Sequence, residues 1–120
     1  MIKKTLVLGG SLKPERYSNK AIRRLTRYGH PVVSVGLKPG QVDGIEIETG
    51  FPDFEEIHTV TVYLGAENQT PYLEYVPRLK PKRVIFNPGT ENEMFADICR
   101  KHDIEVIEHC TLVMLDSGEF

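Results

Sequence analysis

Apolar and polar positions along the chain change period several times. Thr5-Leu6-Val7-Leu8 is a continuous apolar run between Lys3-Lys4 and Gly9-Gly10, the pattern of a strand buried on both faces. From Ser18 to Tyr28 the apolar residues Ala21, Ile22, Leu25 and Tyr28 fall at helical spacing, and most bases fall elsewhere. Gly29 stands where a left-handed C-terminal cap belongs. Val32–Val35 predicts a second buried strand, Gly44–Ile47 a short alternating third and His58–Leu64 a fourth. Thr70-Pro71 opens a predicted helix to about Leu79, with proline at the first helical position. Arg83–Phe86 predicts a fifth strand. Thr90-Glu91-Asn92-Glu93 has the spacing of a capping box for a helix to about His102. Val106–Ile107 lies in a last strand, followed by the apolar tail Leu112–Leu115.

Strands alternating with helices predict an α/β Rossmann-like three-layer fold, with a mostly parallel sheet of five to six strands. The 120 residues form one expected domain, 1–120. In such a sheet ligands sit beyond the carboxyl ends of the strands, where the strand order reverses. The segments at those ends are Gly9–Arg16, Gly36–Lys38, Leu64–Asn68, Asn87–Thr90 and His109-Cys110.

Net charge is −2, and its distribution says more than its size. Residues 1–30 hold eight Lys or Arg and one acid, Glu15, whereas residues 31–77 hold one base, Lys38, and eight acids. The positive field is concentrated on the first loop and helix, which suits an anionic small molecule. Nucleic acid fits poorly, because the rest of the chain is acidic and no basic, aromatic-rich patch accompanies the helix. No apolar run approaches the about 18 residues that a membrane span needs. The first apolar stretch is too short for a signal-peptide core and has no small-residue cleavage site after it. Two cysteines, Cys99 and Cys110, do not make a disulfide framework, so a reducing cytoplasm is the expected setting.

Gly9-Gly10-Ser11 joins the first strand to the first helix. Glycines there let the backbone approach a phosphate, the serine hydroxyl can donate to it, and the helix N-terminus adds free N–H groups and a favourable dipole. A plain tight turn uses the same residues. Between turn and helix, Lys13, Arg16 and Ser18 can fold over a diphosphate, Arg16 with a bidentate fork. Arg23, Arg24 and Arg27 read as the wet face of the helix. Lys38 follows Gly36-Leu37 at the end of the second strand, where an NAD enzyme usually has an acid for the ribose. A cation there favours a phosphorylated adenosine ribose, as in NADP or coenzyme A. The alternative is a surface lysine in a Lys-Pro-Gly turn.

Two long segments, "LVLGGSLKPERYSNKAIRRLTRYGHPVVSVGLKP" and "RVIFNPGTENEMFADICRKHDIEVIEHCTLVM", together resemble the small stand-alone CoA-binding domain family. That family is similar to the nucleotide-binding domain of the succinyl-CoA synthetase alpha subunit. The likeness covers about residues 3–115. It rests on the first turn, on Arg16-Tyr17-Ser18, on Gly89 with Asn92 and Glu93, and on Cys110 after the last strand. The resemblance implies coenzyme A as ligand, its diphosphate over Gly9–Ser11, Arg16 and Ser18, and its adenosine end near Gly36–Lys38. Leu64-Gly65 and Asn87-Pro88-Gly89 would line the crevice. The family commonly carries bases after the fourth strand, whereas this chain has Gly65-Ala66-Glu67-Asn68-Gln69.

No catalytic set is legible. Ser11 has no histidine at a recognisable spacing, and adjacent His109 and Cys110 point to opposite faces if strand pairing continues to them. Cys99, on an apolar helix face, reads as structural, and Cys110 could place a thiol at the crevice mouth. His30, His58, His102 and His109 lack metal-ligand spacing. Three functions remain open. One is a non-catalytic module binding coenzyme A or acyl-CoA; another is an NADP- or NAD-binding redox protein or sensor. The third is an interaction domain that binds no nucleotide and meets an acidic partner with its basic helix. A homodimer through Leu112–Leu115 is possible, as is packing of that tail on the sheet.

Overall fold

A computed structural model describes residues 2–120. Seven strands form one sheet: β1 (Thr5–Gly10), β2 (Val32–Gly36), β3 (Gly40–Val42), β4 (Ile45–Glu48), β5 (Thr59–Val62), β6 (Arg83–Phe86) and β7 (Glu105–Glu108). The order is β3-β4-β2-β1-β5-β6-β7. Every pairing is parallel except β3 with β4. The helices are α1 (Tyr17–Arg27), α2 (Tyr75–Leu79), α3 (Glu93–Lys101) and α4 (Thr111–Ser117).

Alternation along β1 divides the core. Leu6 and Leu8 join Val60, Val62, Val84 and Phe86 beneath Val76 and Leu79 of α2 and Phe95, Ala96 and Cys99 of α3. Val7 and Ile85 face the other way, under Ile22 and Leu25 of α1 and Met114 and Leu115 of α4. The result is the three-layer Rossmann-like arrangement read from the sequence. No helix among the described residues is long and apolar enough to cross a membrane.

The sheet has seven strands rather than five to six because Gly40–Val42 forms a hairpin with β4. Its turn is Asp43-Gly44, with φ of 49° and 79°, the dipeptide that a two-residue hairpin prefers. The predicted helix from Thr70 is instead a 3-10 turn, Thr70–Tyr72, followed by the short α2. Pro77 lacks an N–H, and its ring opposes a helical carbonyl at residue 73, so one continuous helix is disfavoured. The N-cap of α3 is Asn92, two residues after the predicted cap Thr90. Asn92 Oδ1 accepts from the Phe95 N–H, while the Thr90 hydroxyl donates to the Asn87 carbonyl at 2.8 Å. The tail Leu112–Leu115 lies in α4, with Met114 and Leu115 buried against the sheet. Arg24 pairs with Asp116 at 2.6 Å, joining α1 to α4.

At the amino edge of the sheet, buried Arg83 donates to Thr59 Oγ1 at 2.8 Å and to the Phe120 carbonyl at 2.7 Å. Its guanidinium lies 4.5 Å from the Phe120 ring centroid. His30 Nδ1 accepts the Lys3 N–H at 3.1 Å, and His58 Nδ1 contacts Thr59 Oγ1 at 2.7 Å. Burial, with the neighbouring Lys3 and Arg83 charges, lowers the pKa of both histidines. Below the unfolded value of about 6.5 the unfolded chain takes protons that the fold refuses. Stability is therefore full above that pH and falls as pH drops toward the folded values. Urea midpoints at pH 7.5 and 5.5 test this: the lower pH should give the lower midpoint, and His30→Gln should shrink the difference. An unchanged difference in the variant would count against it.

Candidate functional site

A crevice of about 690 Å³ opens at the carboxyl edge of the sheet, a size typical of small-molecule sites. The chain leaves β1 toward β2 on one side and later returns to β5 on the other, so the strand order reverses beside β1. Gly9, Gly10 and Ser11 form part of the lining, Tyr63, Leu64 and Gly65 another part, and Pro88, Gly89 and Thr90 a third. Lys13, Arg16 and Ser18 border it from the first loop and α1, and Lys38 from the end of β2. Gly36 lines an adjoining cavity of about 260 Å³. The sequence-predicted positions thus gather around one crevice and its annex.

Gly9 has φ +100°, a conformation that glycine adopts without strain. It lies where the β1–β2 register shifts between Leu8 and Gly10. Gly10 and Gly36 pair across the two strands. A Cβ on Gly10 would collide with Ser34 Oγ, and one on Gly36 with the Gly10 carbonyl oxygen. These two glycines therefore serve strand packing as well as an open crevice floor.

The loop after Gly10 is braced from α1. Buried Asn19 donates to the Ser11 carbonyl at 2.9 Å and accepts from Arg23 Nε at 2.8 Å. Arg23 also donates to the Pro14 carbonyl at 2.9 Å, so it fixes the loop rather than facing water alone. Ser11 Oγ accepts the Lys13 N–H at 3.2 Å, which leaves its hydroxyl proton available to another acceptor. The first intrahelical bond is Lys20 N–H to Arg16 O at 3.1 Å. The N–H groups of residues 17–19 lie in the first turn, where no intrahelical acceptor exists, and no acid occupies that turn. Arg16 and Lys13 are exposed, and neither forms an ion pair among the described residues.

Buried amides set the opposite wall. Gln69, fully buried, donates to the Leu64 carbonyl at 2.8 Å and the Thr90 carbonyl at 2.7 Å, and accepts from Asn92 Nδ2 at 3.0 Å. It ties the loop after β5 to the loop after β6. Asn87 donates to Thr61 Oγ1 and the Val62 carbonyl and accepts the Thr111 N–H at 2.8 Å. The Gly89 N–H is held by Glu91 at 2.9 Å.

Tyr63 lines the crevice, yet its hydroxyl is buried without a partner. The Thr61 and Thr111 hydroxyls bond each other, and Thr61 is also engaged by Asn87. Burial raises the phenol pKa, and Cys110 adds to the effect. An unpaired buried hydroxyl contributes nothing that its removal would forfeit. Tyr63→Phe is therefore expected to change stability by less than about 0.5 kcal/mol in urea titrations; a loss beyond about 1 kcal/mol would reveal a bond for that hydroxyl.

Sequence reasoning missed several of these residues. Leu12 and Tyr17 are large, exposed and on the crevice wall, as is the adjacent Leu37. An exposed aromatic directly after Arg16 was the available signal for Tyr17. Asn19 and Gln69 had none, because the carbonyls they brace come near only on folding. Asn87, expected on the crevice from its place after β6, is instead buried behind it and outside its lining. His109 and Cys110 lie outside the lining of either cavity, and His109 Nδ1 accepts the Cys110 N–H at 2.7 Å. Cys99 is buried on α3, and burial pushes its thiol pKa up to about 11.

Fold and crevice together define a Rossmann-like α/β domain with a glycine-floored site at the strand carboxyl ends. The chain belongs to the CoA-binding domain family, whose model matches residues 3–116. It is 46% identical to an uncharacterised protein of known crystal structure, with a TM-score of 0.97, covering 100% of this chain and 99% of that one. A protein from Thermus thermophilus, 22% identical, shares the fold with a TM-score of 0.86 over 99% of this chain and 91% of that one. The dinucleotide-forming acetyl-coenzyme A synthetase 1 of Ca. Korarchaeum cryptofilum, solved with phosphate and ADP, is 14% identical, with a TM-score of 0.75. That match covers 89% of this chain and 25% of the synthetase. No curated protein sequence matches the chain.

Proposed function

We propose that the protein binds coenzyme A or an acyl-CoA in this crevice, as a binding module without chemistry of its own. The observation that carries the reading is the floor of the site. Gly9-Gly10-Ser11 meets the acid-free N-terminus of α1, beneath Lys13, Arg16 and Lys38. The residues present fit the ligand's diphosphate. The Ser11 hydroxyl and the first-turn N–H groups supply donors, and Arg16 supplies a fork. The adenosine end extends toward Gly36–Lys38, with Lys38 serving the 3′-phosphate. The pantetheine arm runs over Leu64-Gly65 and Pro88-Gly89.

Isothermal titration of the reduced protein with CoA, dephospho-CoA, NADP and NAD tests this. CoA should bind saturably and dephospho-CoA more weakly. Arg16→Ala should weaken CoA about tenfold, the value of one charge-assisted phosphate contact. Preference for a nicotinamide dinucleotide, or no binding of any of the four, would overturn the proposal.

A further inference from the structure

The annex to the main crevice has a different character from its floor. This cavity of about 260 Å³ lies over Gly9, between the end of β2 and the segment 67–72 that follows β5. Leu37 and Leu64 contribute to its walls, as do Pro71 and Tyr72. The Tyr72 ring is fixed from outside, with centroids 5.5 Å from Phe51 and 6.2 Å from Tyr75. Tyr75 is itself anchored by its hydroxyl on the Pro52 carbonyl. A slot with apolar walls and a fixed aromatic ring suits a flat heteroaromatic base.

Glu67 carries the one charge among the described residues lining this annex. Its carboxylate turns back over Gly65, with Oε1 2.9 Å from where a Gly65 Cβ would stand. Glycine at 65 gives it room to lie there. Among the described residues no cation or donor pairs with it. A carboxylate only accepts hydrogen bonds, whereas the neighbouring Asn68 amide both donates and accepts. Adenine presents the matching edge, an exocyclic amino donor beside ring-nitrogen acceptors. A 6-oxopurine reverses this edge, with an acceptor at position 6 and the donor moved to N1, and so opposes a carboxylate held at position 6.

We propose that Glu67, with Asn68, reads the base in this annex as an aminopurine and rejects its 6-oxo counterpart. The inference rests on the CoA-binding reading above and adds a specificity residue to it. The test is titration of wild type and Glu67→Gln with CoA and with its hypoxanthine analogue. Wild type should bind the analogue at least tenfold more weakly than CoA. In Glu67→Gln the new amide can donate to the 6-oxo group, so the gap should close to within about threefold. Glu67 is exposed, and an unchanged melting temperature will show that the variant is folded. Equal binding of both ligands by wild type overturns the inference and leaves the CoA reading standing. So does a common rise in affinity of the variant for both with their ratio unchanged, which would mean that Glu67 merely repels polyanions. Absence of CoA binding by wild type overturns both readings.

Discussion

Gly36→Ala is expected to destabilise the protein by about 3 kcal/mol and to weaken any ligand held by the first turn. Gly36 pairs with Gly10 across β1 and β2. An added methyl would overlap the Gly10 carbonyl oxygen and lie 3.0 Å from Ile47 Cγ2. The first of these is backbone, so no rotamer change relieves it. Strands β1 and β2 must part, and the displaced segment is the crevice floor, Gly9–Ser11. Gly44→Ala is the control. Its φ of 79° imposes the cost of a left-handed residue, but nothing lies within 4 Å of the new methyl, so about 1 kcal/mol is expected. Urea titrations of the two variants decide the matter. Similar losses would mean that close approach is not what requires glycine at 36.

The second large effect is Gln69→Leu, expected to cost about 3 kcal/mol and to lower CoA affinity even where the variant is folded. Leucine fills most of the space but supplies no polar atoms. The Leu64 and Thr90 carbonyls lose their shared donor, and Asn92 Nδ2 loses its acceptor. Gln69 is fully buried, so water cannot replace these bonds without entering the wall. The two loops it joins carry Leu64, Gly65, Pro88 and Gly89, all on the crevice. A loss in binding beyond what unfolding explains, measured at a urea concentration where the variant stays native, supports the bracing role. A stability loss under about 1 kcal/mol would refute it.

Much of the architecture was legible because burial leaves a periodic trace. Thr5–Leu8, Val32–Val35 and Arg83–Phe86 are strands within two residues of their apolar runs. Gly29 follows α1 with φ 84°, the C-terminal position its identity indicated. The hairpin at Asp43-Gly44 was also written in the chain, in a turn dipeptide between Val42 and Ile45, but the segment is too acidic to stand out by hydropathy. Pro77 inside the run from Thr70 to Leu79 held the warning that one helix would not form. Helix α4 was harder, because four apolar residues at Leu112–Leu115 fit a strand, a helix turn or an interface equally well.

The site divides along the same line. Local sequence determined the glycine turn, the cations around it and the alternation of elements that sends strand ends to one edge, because each depends on neighbours along the chain. Tertiary structure decided the rest. Only folding brings Glu67 across from β5 to the end of β2, a place where the sequence shows Lys38 and no acid. Only folding buries Gln69 against the Leu64 and Thr90 carbonyls and Asn87 against Thr61, Val62 and Thr111, and leaves the Tyr63 hydroxyl without a partner. Those outcomes depend on contacts between residues far apart in sequence, and a carboxamide carries no periodicity that reveals which main-chain groups it will meet.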